Sequence, residues 1–308
     1  MPVCSKASAP VNIVSNVGSC DLKCHYSYNY PQTKLSAYNR GEYLEYEVGK
    51  NDSQQSTHSP VNYNNSWYEV TGIRMYAPSL HEYGGKRAAA ELMIFHRGVT
   101  DSAPLIVSVP VQDGGSVGGP TSDLDAMVET AVTLPTEGFS GAGGGVPVNV
   151  TGFTLNSVVP TKPFYSYSGS LPFSPPTCGG LANFVVFDIE NSVSITSSTA
   201  EILRKHVTDP EYPIKPSNGR LFINKTGSSR GAGDPGEGIY IDCQPTGEEG
   251  EALVAKKTNV GQQWPDMSGV RGVAEVGGKV LAGGLIMALI WVVGGKIVGK
   301  ARESSNGP

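Results

Sequence analysis

Short runs in which apolar and polar residues alternate recur through the first 226 residues of the chain. The clearest runs lie at 68–76, 91–96, 105–111 and 184–189, and Gly, Pro, Asn and Ser separate them. A period of two is typical of β-strands with one buried face, and the separating residues are those that favour turns. The 39 glycines and 22 prolines also favour a loop-rich β architecture over a helical bundle. The pattern therefore predicts a mainly β domain over residues 1–226.

The overall charge limits the class of partner. The chain has 39% hydrophobic and 17% charged residues, as an ordinary globular protein does, and its formal net charge is −5. Because binding to phosphate groups needs a positive surface, we do not expect nucleic acid to be a partner.

The composition changes after residue 226. Residues 227–278 are rich in Gly, Glu and Asp, with one brief apolar stretch at 239–243. Such a segment cannot bury enough apolar surface to fold alone, which predicts a linker or an arm that orders against a partner.

The C-terminal region contains an uncharged apolar run at 280–295, flanked by Lys279 and Lys296. The run is slightly shorter than the roughly 20 residues that usually span a bilayer, so a buried or interfacial helix is the alternative. We expect a transmembrane helix at 279–300 that contacts membrane lipid, and a polar tail at 301–308. The N-terminus has no apolar run of the secretory type, so no cleavable signal peptide is expected. The predicted anchor residues are Val280, Leu281, Leu285, Ile286, Met287, Leu289, Ile290, Trp291, Val292 and Val293.

Residues 68–96 carry the most specific signal in the sequence, YEVTGIRMYAPSLHEYGGKRAAAELMIFH. This stretch resembles the core of the α-carbonic anhydrases, in which Y-x-L-x-Q-x-H-x-H leads into P-S-E-H, a G-K turn and A-E-L-H-x-V-H. Two other segments resemble that family in the same order, APVNI at 9–13 and VPTKPFYSYSGSLPFSPPTC at 159–178. The resemblance implies a mainly β (α+β) carbonic-anhydrase-like domain over residues 1–226, with a large, mostly antiparallel twisted central sheet.

In that family three histidines hold a catalytic zinc, two of them alternating on one strand and the third on a neighbouring strand. Alternate residues of a strand point to the same face, so this spacing suits a tetrahedral metal site. The resemblance places Arg74, Tyr76 and Met93 at the three ligand positions. A guanidinium cannot bind zinc, a phenol is a poor ligand, and a thioether prefers softer metals. We therefore expect no zinc, no other cofactor and no enzymatic activity.

Two further family positions have changed chemistry. The acidic residue of P-S-E-H, which orients the catalytic hydroxyl group in the family, corresponds to Leu80. The gatekeeping threonine falls at Pro172 or Phe173, where the loop has one extra residue. None of these side chains offers a hydroxyl or a carboxylate, which agrees with the loss of the zinc ligands.

Three other residues match family positions that have a structural role. His81, Glu91 and His96 match residues that support the family's core, and we expect them to be buried polar groups with partners. A relocated metal site on His81 and His96 would lack a third ligand. Arg74 is expected to pair with Glu91 or Glu69, since a buried charge must be paired, with binding of an anion as the alternative.

The residues alone do not determine how the five cysteines pair. They are Cys4, Cys20, Cys24, Cys178 and Cys243. Cys20 and Cys24 lack the second pair of ligands that a structural zinc site needs, and we interpret the cysteines as ordinary thiols or one disulfide. The family resemblance implies that Cys4 and Cys178 lie close together and form a disulfide under oxidising conditions.

The order of these segments resembles that of membrane-anchored virion proteins of large DNA viruses, such as the carbonic-anhydrase-like envelope protein of poxviruses. We therefore predict a virion structural protein of the minor capsid or envelope type, whose partners are other capsid or virion proteins and membrane lipid. The alternative is a cell-surface adhesion protein that binds a glycosaminoglycan. It is less favoured because sulfated glycans need clustered cations and the chain is acidic. The candidate cluster is Lys86, Arg87, Arg97, Arg204 and Lys205.

Overall fold

The structure is a computed structural model that describes residues 7–21, 23–49, 59–100, 102–136, 145–172 and 180–231. The strands in these ranges are β1 (Asn12–Ile13), β2 (Gly18–Ser19), β3 (Tyr26–Tyr28), β4 (Leu35–Asn39), β5 (Leu44–Val48), β6 (Val61–Tyr63), β7 (Ser66–Tyr76), β8 (Glu82–Tyr83), β9 (Lys86–Arg87), β10 (Ala90–Gly98), β11 (Leu105–Asp113), β12 (Val146–Pro147), β13 (Phe164–Ser170), β14 (Leu181–Phe187), β15 (Val193–Ile195), β16 (Phe222–Asn224) and β17 (Ser229–Arg230). Two helices accompany them, α1 (Gly119–Val132) and α2 (Ser197–His206).

Fourteen of the described strands form one large mixed sheet. Its main path runs β12-β4-β5-β7-β10-β11-β14-β13-β16-β2, while β15 joins β11, and β17, β3 and β6 reach the path through β7. Most of its pairs are antiparallel, and the parallel ones are β11 with β14, β11 with β15, β16 with β2, and β17 with β3. This is the large, mostly antiparallel sheet that the sequence predicted.

The four strongest alternating runs of the sequence became central strands. β7, β10 and β11 have 11, 9 and 9 residues, and they lie side by side in the middle of the sheet. The fourth run, at 184–189, lies in β14, but the strand ends earlier than predicted, at Phe187. A single 3-10 turn begins at Ile189.

A small second sheet of β1, β8 and β9 lies outside the main path. Its hairpin turns at Gly84 and Gly85, which have φ angles of 58° and 79°. Two consecutive residues with positive φ match the twist of a two-residue hairpin, and glycine adopts that conformation without steric cost. The G-G-K sequence at 84–86 therefore encodes the turn that brings β9 back along β8.

Two apolar clusters cover opposite faces of the main sheet. One cluster includes Leu124, Met127, Val128 and Ala131, whose spacing puts them on one face of α1. The other contains Tyr76, Leu80 and Met93 together with residues of β13 and β14. Two of the three residues at the expected ligand positions, Tyr76 and Met93, therefore belong to the second cluster.

The sheet continues past the predicted domain boundary at residue 226. β17 pairs with β3 in parallel, and the Ser228 hydroxyl donates to the carbonyl of Pro160 at 2.7 Å. No helix within the described ranges is long and apolar enough to cross a membrane. The predicted membrane segment, 279–300, lies outside these ranges, as do the rest of the linker and the polar tail.

Candidate functional site

The three expected ligand positions lie together on one face of β7 and β10. Arg74 stands directly opposite Met93 across the antiparallel pair, and Tyr76 stands opposite Glu91. Because directly opposed residues and alternate residues share a face, all four side chains project to the same side of the sheet. Met93 and Tyr76 are each 1% exposed. The strand register thus produces the clustering that three metal ligands would need, with other side chains in place of histidines.

Arg74 is held among aromatic rings and one carboxylate. Its guanidinium carbon lies 4.5 Å from the centre of the Tyr43 ring and 4.9 Å from that of Phe95. Its Nε lies 3.6 Å from Oε1 of Glu45, whose other oxygen accepts a 2.7 Å hydrogen bond from Nε of Arg40. A guanidinium over aromatic faces and beside a carboxylate is well stabilised as a cation.

The expected partners of Arg74, Glu91 and Glu69, were wrong. Glu45 is the partner because it stands directly opposite Arg74 across β5 and β7. Glu69 instead accepts from Arg97 at 3.0 Å on the exposed end of the sheet. Glu91 instead contacts His81, whose Nδ1 lies 2.5 Å from its Oε1.

Electrostatics keeps this cluster in one charge state. Burial opposes the charge of Arg74, but its tyrosine neighbours Tyr76 and Tyr43 and the carboxylate of Glu45 raise the pKa of the guanidinium overall. Burial raises the pKa of Tyr76 far above its usual range, although Arg74 acts in the opposite direction. Near neutral pH, therefore, Arg74 is cationic and Tyr76 is a neutral phenol.

A buried polar network lies next to this cluster and is centred on Glu91, which is 0% exposed. One carboxylate oxygen accepts from the backbone N–H groups of Leu80 and His81 at 2.6 and 2.9 Å. The other accepts from the Ser108 hydroxyl and lies 2.5 Å from Nδ1 of His81. Nε2 of His81 lies 2.7 Å from the Tyr167 hydroxyl. Every polar atom of these two side chains thus has a partner, as a buried network requires.

The Glu91 carboxylate stays ionised inside the core. Burial by itself raises the pKa of Glu91, but the charge and hydrogen bond of His81, together with Ser108, outweigh it and lower the pKa. Leu80 takes part through its backbone N–H, while its side chain is 1% exposed within the apolar cluster. An acidic side chain at position 80 would lie close to the Glu91 carboxylate, whereas leucine adds no charge there.

His96 has a separate set of partners and is 2% exposed. Its Nδ1 lies 3.2 Å from the carbonyl oxygen of Leu105, and its Nε2 lies 2.9 Å from the hydroxyl of Tyr30. The Tyr30 hydroxyl is also 2.9 Å from that of Tyr26. Burial lowers the pKa of His96 to about 4, so the ring is neutral at physiological pH. The expectation that His81, Glu91 and His96 are buried with partners is thus confirmed.

Several predicted site residues fall outside this cluster or outside the described ranges. Pro172 is buried just after β13, and Phe173 lies outside the described residues. The anchor residues of segment 279–300 also lie outside them. Among the residues that the structure describes, no three His, Cys, Asp or Glu side chains are grouped so that they could hold a metal ion.

The described cysteines form a short-range disulfide. Cys20 and Cys24 are bonded, with their Cα atoms 5.5 Å apart, and both are buried. The pair that the family resemblance implies, Cys4 and Cys178, lies outside the described residues, as does Cys243. Its closeness in space stays a prediction.

Sequence reasoning did not find Glu45 or Arg40. The alternation in LEYEV at 44–48 is a signal for a strand with Glu45 and Glu47 on one face. That pattern alone does not show that β5 lies beside β7, which is what brings Glu45 to Arg74.

The folded domain is similar to solved α-carbonic anhydrases and to dioscorin. The carbonic anhydrase Cah3 from Chlamydomonas reinhardtii, in complex with acetazolamide, has a TM-score of 0.55 and 18% identity, covering 71% of this chain and 91% of that chain. The α-carbonic anhydrase from Thermovibrio ammonificans, in complex with sulfanilamide, has a TM-score of 0.53 and 20% identity, covering 71% and 87%. Dioscorin in complex with ascorbate has a TM-score of 0.52 and 19% identity, covering 71% and 86%.

Sequence comparison adds no assignment, since no protein-family model and no curated protein sequence matches the chain. Structural likeness at so low a sequence identity establishes the fold and leaves the activity open. The mostly β architecture, the large mixed sheet and these likenesses agree with one another. The described part of the chain therefore has the α-carbonic anhydrase fold.

Proposed function

We propose that the chain is a non-enzymatic, membrane-anchored structural protein of a virion, in which a zinc-less α-carbonic anhydrase fold joins a protein shell to a membrane. The observation that carries the proposal is the position of Arg74. It occupies the place expected for a zinc ligand, lies within 4.9 Å of the centres of two aromatic rings, and pairs with Glu45.

The residues at the three expected ligand positions do not fit a zinc ion. The cation of Arg74 would repel Zn²⁺ and has no lone pair to offer. Tyr76 is kept as a neutral phenol by burial, and Met93 is a thioether packed in an apolar cluster. Zinc in proteins takes thiolate, imidazole or carboxylate ligands, so we derive no catalytic step through a metal at this place.

The same residues suit a structural role. The cation of Arg74 contacts Tyr43, Phe95 and Glu45, which hold its guanidinium in place. The network around Glu91 and His81 supports the neighbouring strands from within the core. A scaffold without a reactive centre is what a linking module requires.

The rest of the proposal rests on the sequence of the C-terminal part. Residues 227–278 have the composition of an extended acidic arm, and 279–300 have that of a membrane anchor. A folded domain, an arm and an anchor in this order suit a protein that contacts a shell at one end and lipid at the other.

The described ion pairs favour this role over glycan-binding adhesion. Arg87 donates to Asp209 at 2.6 Å, and the exposed Arg97 and Arg204 pair with Glu69 and Asp113 at 3.0 and 3.3 Å. Each pair reduces the positive potential that a sulfated glycan needs. We therefore retain adhesion as an outcome of the test below and not as a second proposal.

Purified particles that contain the chain provide the test. Cross-linking followed by mass spectrometry should join the domain at 1–226 to shell proteins, and mild detergent should remove lipid while the domain stays with the shell. In liposome flotation, the full chain should float and a matched variant that ends at residue 278 should not. Labelling of the domain on intact particles by a membrane-impermeant reagent, together with loss of cell attachment in soluble heparin, would contradict the tether and support adhesion.

A further inference from the structure

A cavity of about 810 Å³ opens near the end of the main sheet that carries β2 and β16. Strand β13 contributes Ser166, Tyr167 and Ser168 to its lining, and the two serines alternate with Tyr165 and Tyr167. The two tyrosines belong to the apolar cluster around Met93. Because alternate residues of a strand point to opposite faces, the two serines face away from the Arg74 cluster. Tyr167 lines the cavity as well, but none of Arg74, Tyr76 and Met93 does, so the cavity is separate from the place expected for a metal.

The walls of this cavity are fixed by covalent and polar links. The disulfide between Cys20 and Cys24 lies in its lining. The Asn224 amide donates to the carbonyl of Cys24 at 2.9 Å. One oxygen of the Asp21 carboxylate accepts from the backbone N–H groups of Lys225 and Thr226 at 2.5 and 3.2 Å. These links hold the segment after β2 against the segment after β16, so the cavity is largely pre-formed, as ligand sites usually are.

The charges in the cavity favour an anion. Its lining contains the cations Lys23 and Arg220 and the anion Asp21. The largest effect on Asp21 is a hydrogen bond from the Ser19 hydroxyl, which helps to lower the pKa of the carboxyl group. Within the described residues, neither Lys23 nor Arg220 forms an ion pair. Asp21 is thus occupied by backbone and hydroxyl donors and does not pair with either cation. Arg220 donates through Nε to the carbonyl of Ser217 at 3.3 Å, which leaves its terminal nitrogens for a ligand.

The other lining groups favour a ligand with a ring or a short apolar body. Phe222 is 41% exposed, although it is large and apolar, and it lies on the cavity wall. The buried Tyr63 and Ser166 hydroxyls lie 2.6 Å apart. Ser168 donates to the Asn183 side chain at 2.9 Å. An apolar wall with a few placed polar groups and a cationic rim is typical of sites for small organic acids.

We propose that this cavity is a binding site for a small organic anion that joins one carboxylate to a ring or short apolar body. Lys23 and Arg220 contact the carboxylate, and Phe222 contacts the ring. The volume suits a single ligand of this kind, since small-molecule sites span about 300–1,000 Å³.

The test uses two probes of nearly the same shape, 4-fluorophenylacetate and its neutral analogue 4-fluorophenylacetamide. Binding of each to the full chain in lipid nanodiscs is measured by ¹⁹F NMR titration. The carboxylate probe should bind about tenfold more tightly than the amide, because charge-assisted hydrogen bonds are stronger than neutral ones. The double variant Lys23→Gln/Arg220→Gln should remove this preference and leave amide binding nearly unchanged. Phe222→Ala should weaken the binding of both probes.

The matched control is Arg97→Gln, which removes an exposed cation elsewhere on the domain. It should leave both affinities and their ratio unchanged. Equal binding of the two probes, an equal loss in the control variant, or the absence of saturable binding would overturn the proposal. Because the titration is independent of zinc and of particle assembly, its failure would leave the proposed tether role intact.

Discussion

The buried His96 provides a quantitative prediction about acid stability. The perturbation is a fall in pH from 7.5 to 4. In the folded chain, burial lowers the pKa of His96 from 6.5 to about 4, whereas an unfolded chain restores the ordinary value. Between pH 4 and 6.5, His96 binds a proton in the unfolded state but not in the folded state, so the free energy of unfolding rises with pH. The contribution of His96 is fully present above pH 6.5 and is lost as the pH falls towards 4.

The size of this effect follows from the shift in pKa. A difference of 2.5 between 6.5 and about 4 corresponds to about 3.5 kcal/mol, at about 1.4 kcal/mol for each pH unit. About 3 kcal/mol of this is lost by pH 4, where His96 is half protonated in the folded chain. That is a large part of the stability of an ordinary domain, about 5–15 kcal/mol. The lowered pKa of Glu91 adds a loss of stability at lower pH, below the ordinary carboxyl range near 4.5.

Urea unfolding in mild detergent, followed by tryptophan fluorescence at several pH values, measures the effect. The variant His96→Gln should lose some stability at pH 7.5. Between pH 7.5 and 4, however, its free energy of unfolding should fall by about 3 kcal/mol less than that of the natural chain. The matched control is His206→Gln, which removes an exposed imidazole from α2. An identical slope in His96→Gln and the natural chain would refute the reasoning.

Four other variants test the packing around Arg74 and Glu91 and the disulfide. Glu91→Gln should destabilise the fold by about 3–5 kcal/mol in urea unfolding, because it removes one charge from a fully buried pair with His81; a loss below about 1 kcal/mol would contradict the buried network. Glu45→Gln should cost about 1 kcal/mol, since the pair with Arg74 is partly exposed. The double variant Glu45→Gln/Arg74→Met should then cost less than the two single losses added together, and strict additivity would show that the pair is not coupled. The variant Cys20→Ser/Cys24→Ser should lose about 2 kcal/mol, the chain-entropy value for so short a loop, and unfolding that is insensitive to reductant in the natural chain would count against the disulfide.

Much of the sheet was predictable because its central strands carry their burial pattern in their own sequence. The alternation in Ser66–Tyr76 places Arg74 on a defined face before any pairing is known. Ala90–Gly98 is buried along most of its length, and its register with Ser66–Tyr76 is what places Met93. Helix α1 was not predicted, although Leu124, Met127, Val128 and Ala131 follow a helical spacing. The surrounding Gly and Thr residues weaken that signal, and packing against the sheet stabilises the helix.

The partner of Arg74 was not predictable by the same reasoning. A strand's pattern shows which side chains share a face but not which strand lies beside it, since pairing depends on the whole fold. Glu45 is 29 positions before Arg74 and reaches it through the order β5-β7-β10. The cavity beside Cys20 and Cys24 was missed for a similar reason, because its lining comes from segments as distant as Ser19 and Phe222.

Zinc content is the most direct test of the central claim that Arg74, Tyr76 and Met93 have replaced a zinc site. The full chain is incubated with excess zinc and freed of unbound metal, and its zinc is measured by mass spectrometry. The triple variant Arg74→His/Tyr76→His/Met93→His serves as the comparison, since the register of β7 and β10 would bring three imidazoles together. We expect far less than one zinc per natural chain and close to one per triple variant. One tightly bound zinc in the natural chain, lost on Met93→Ala, would contradict the account.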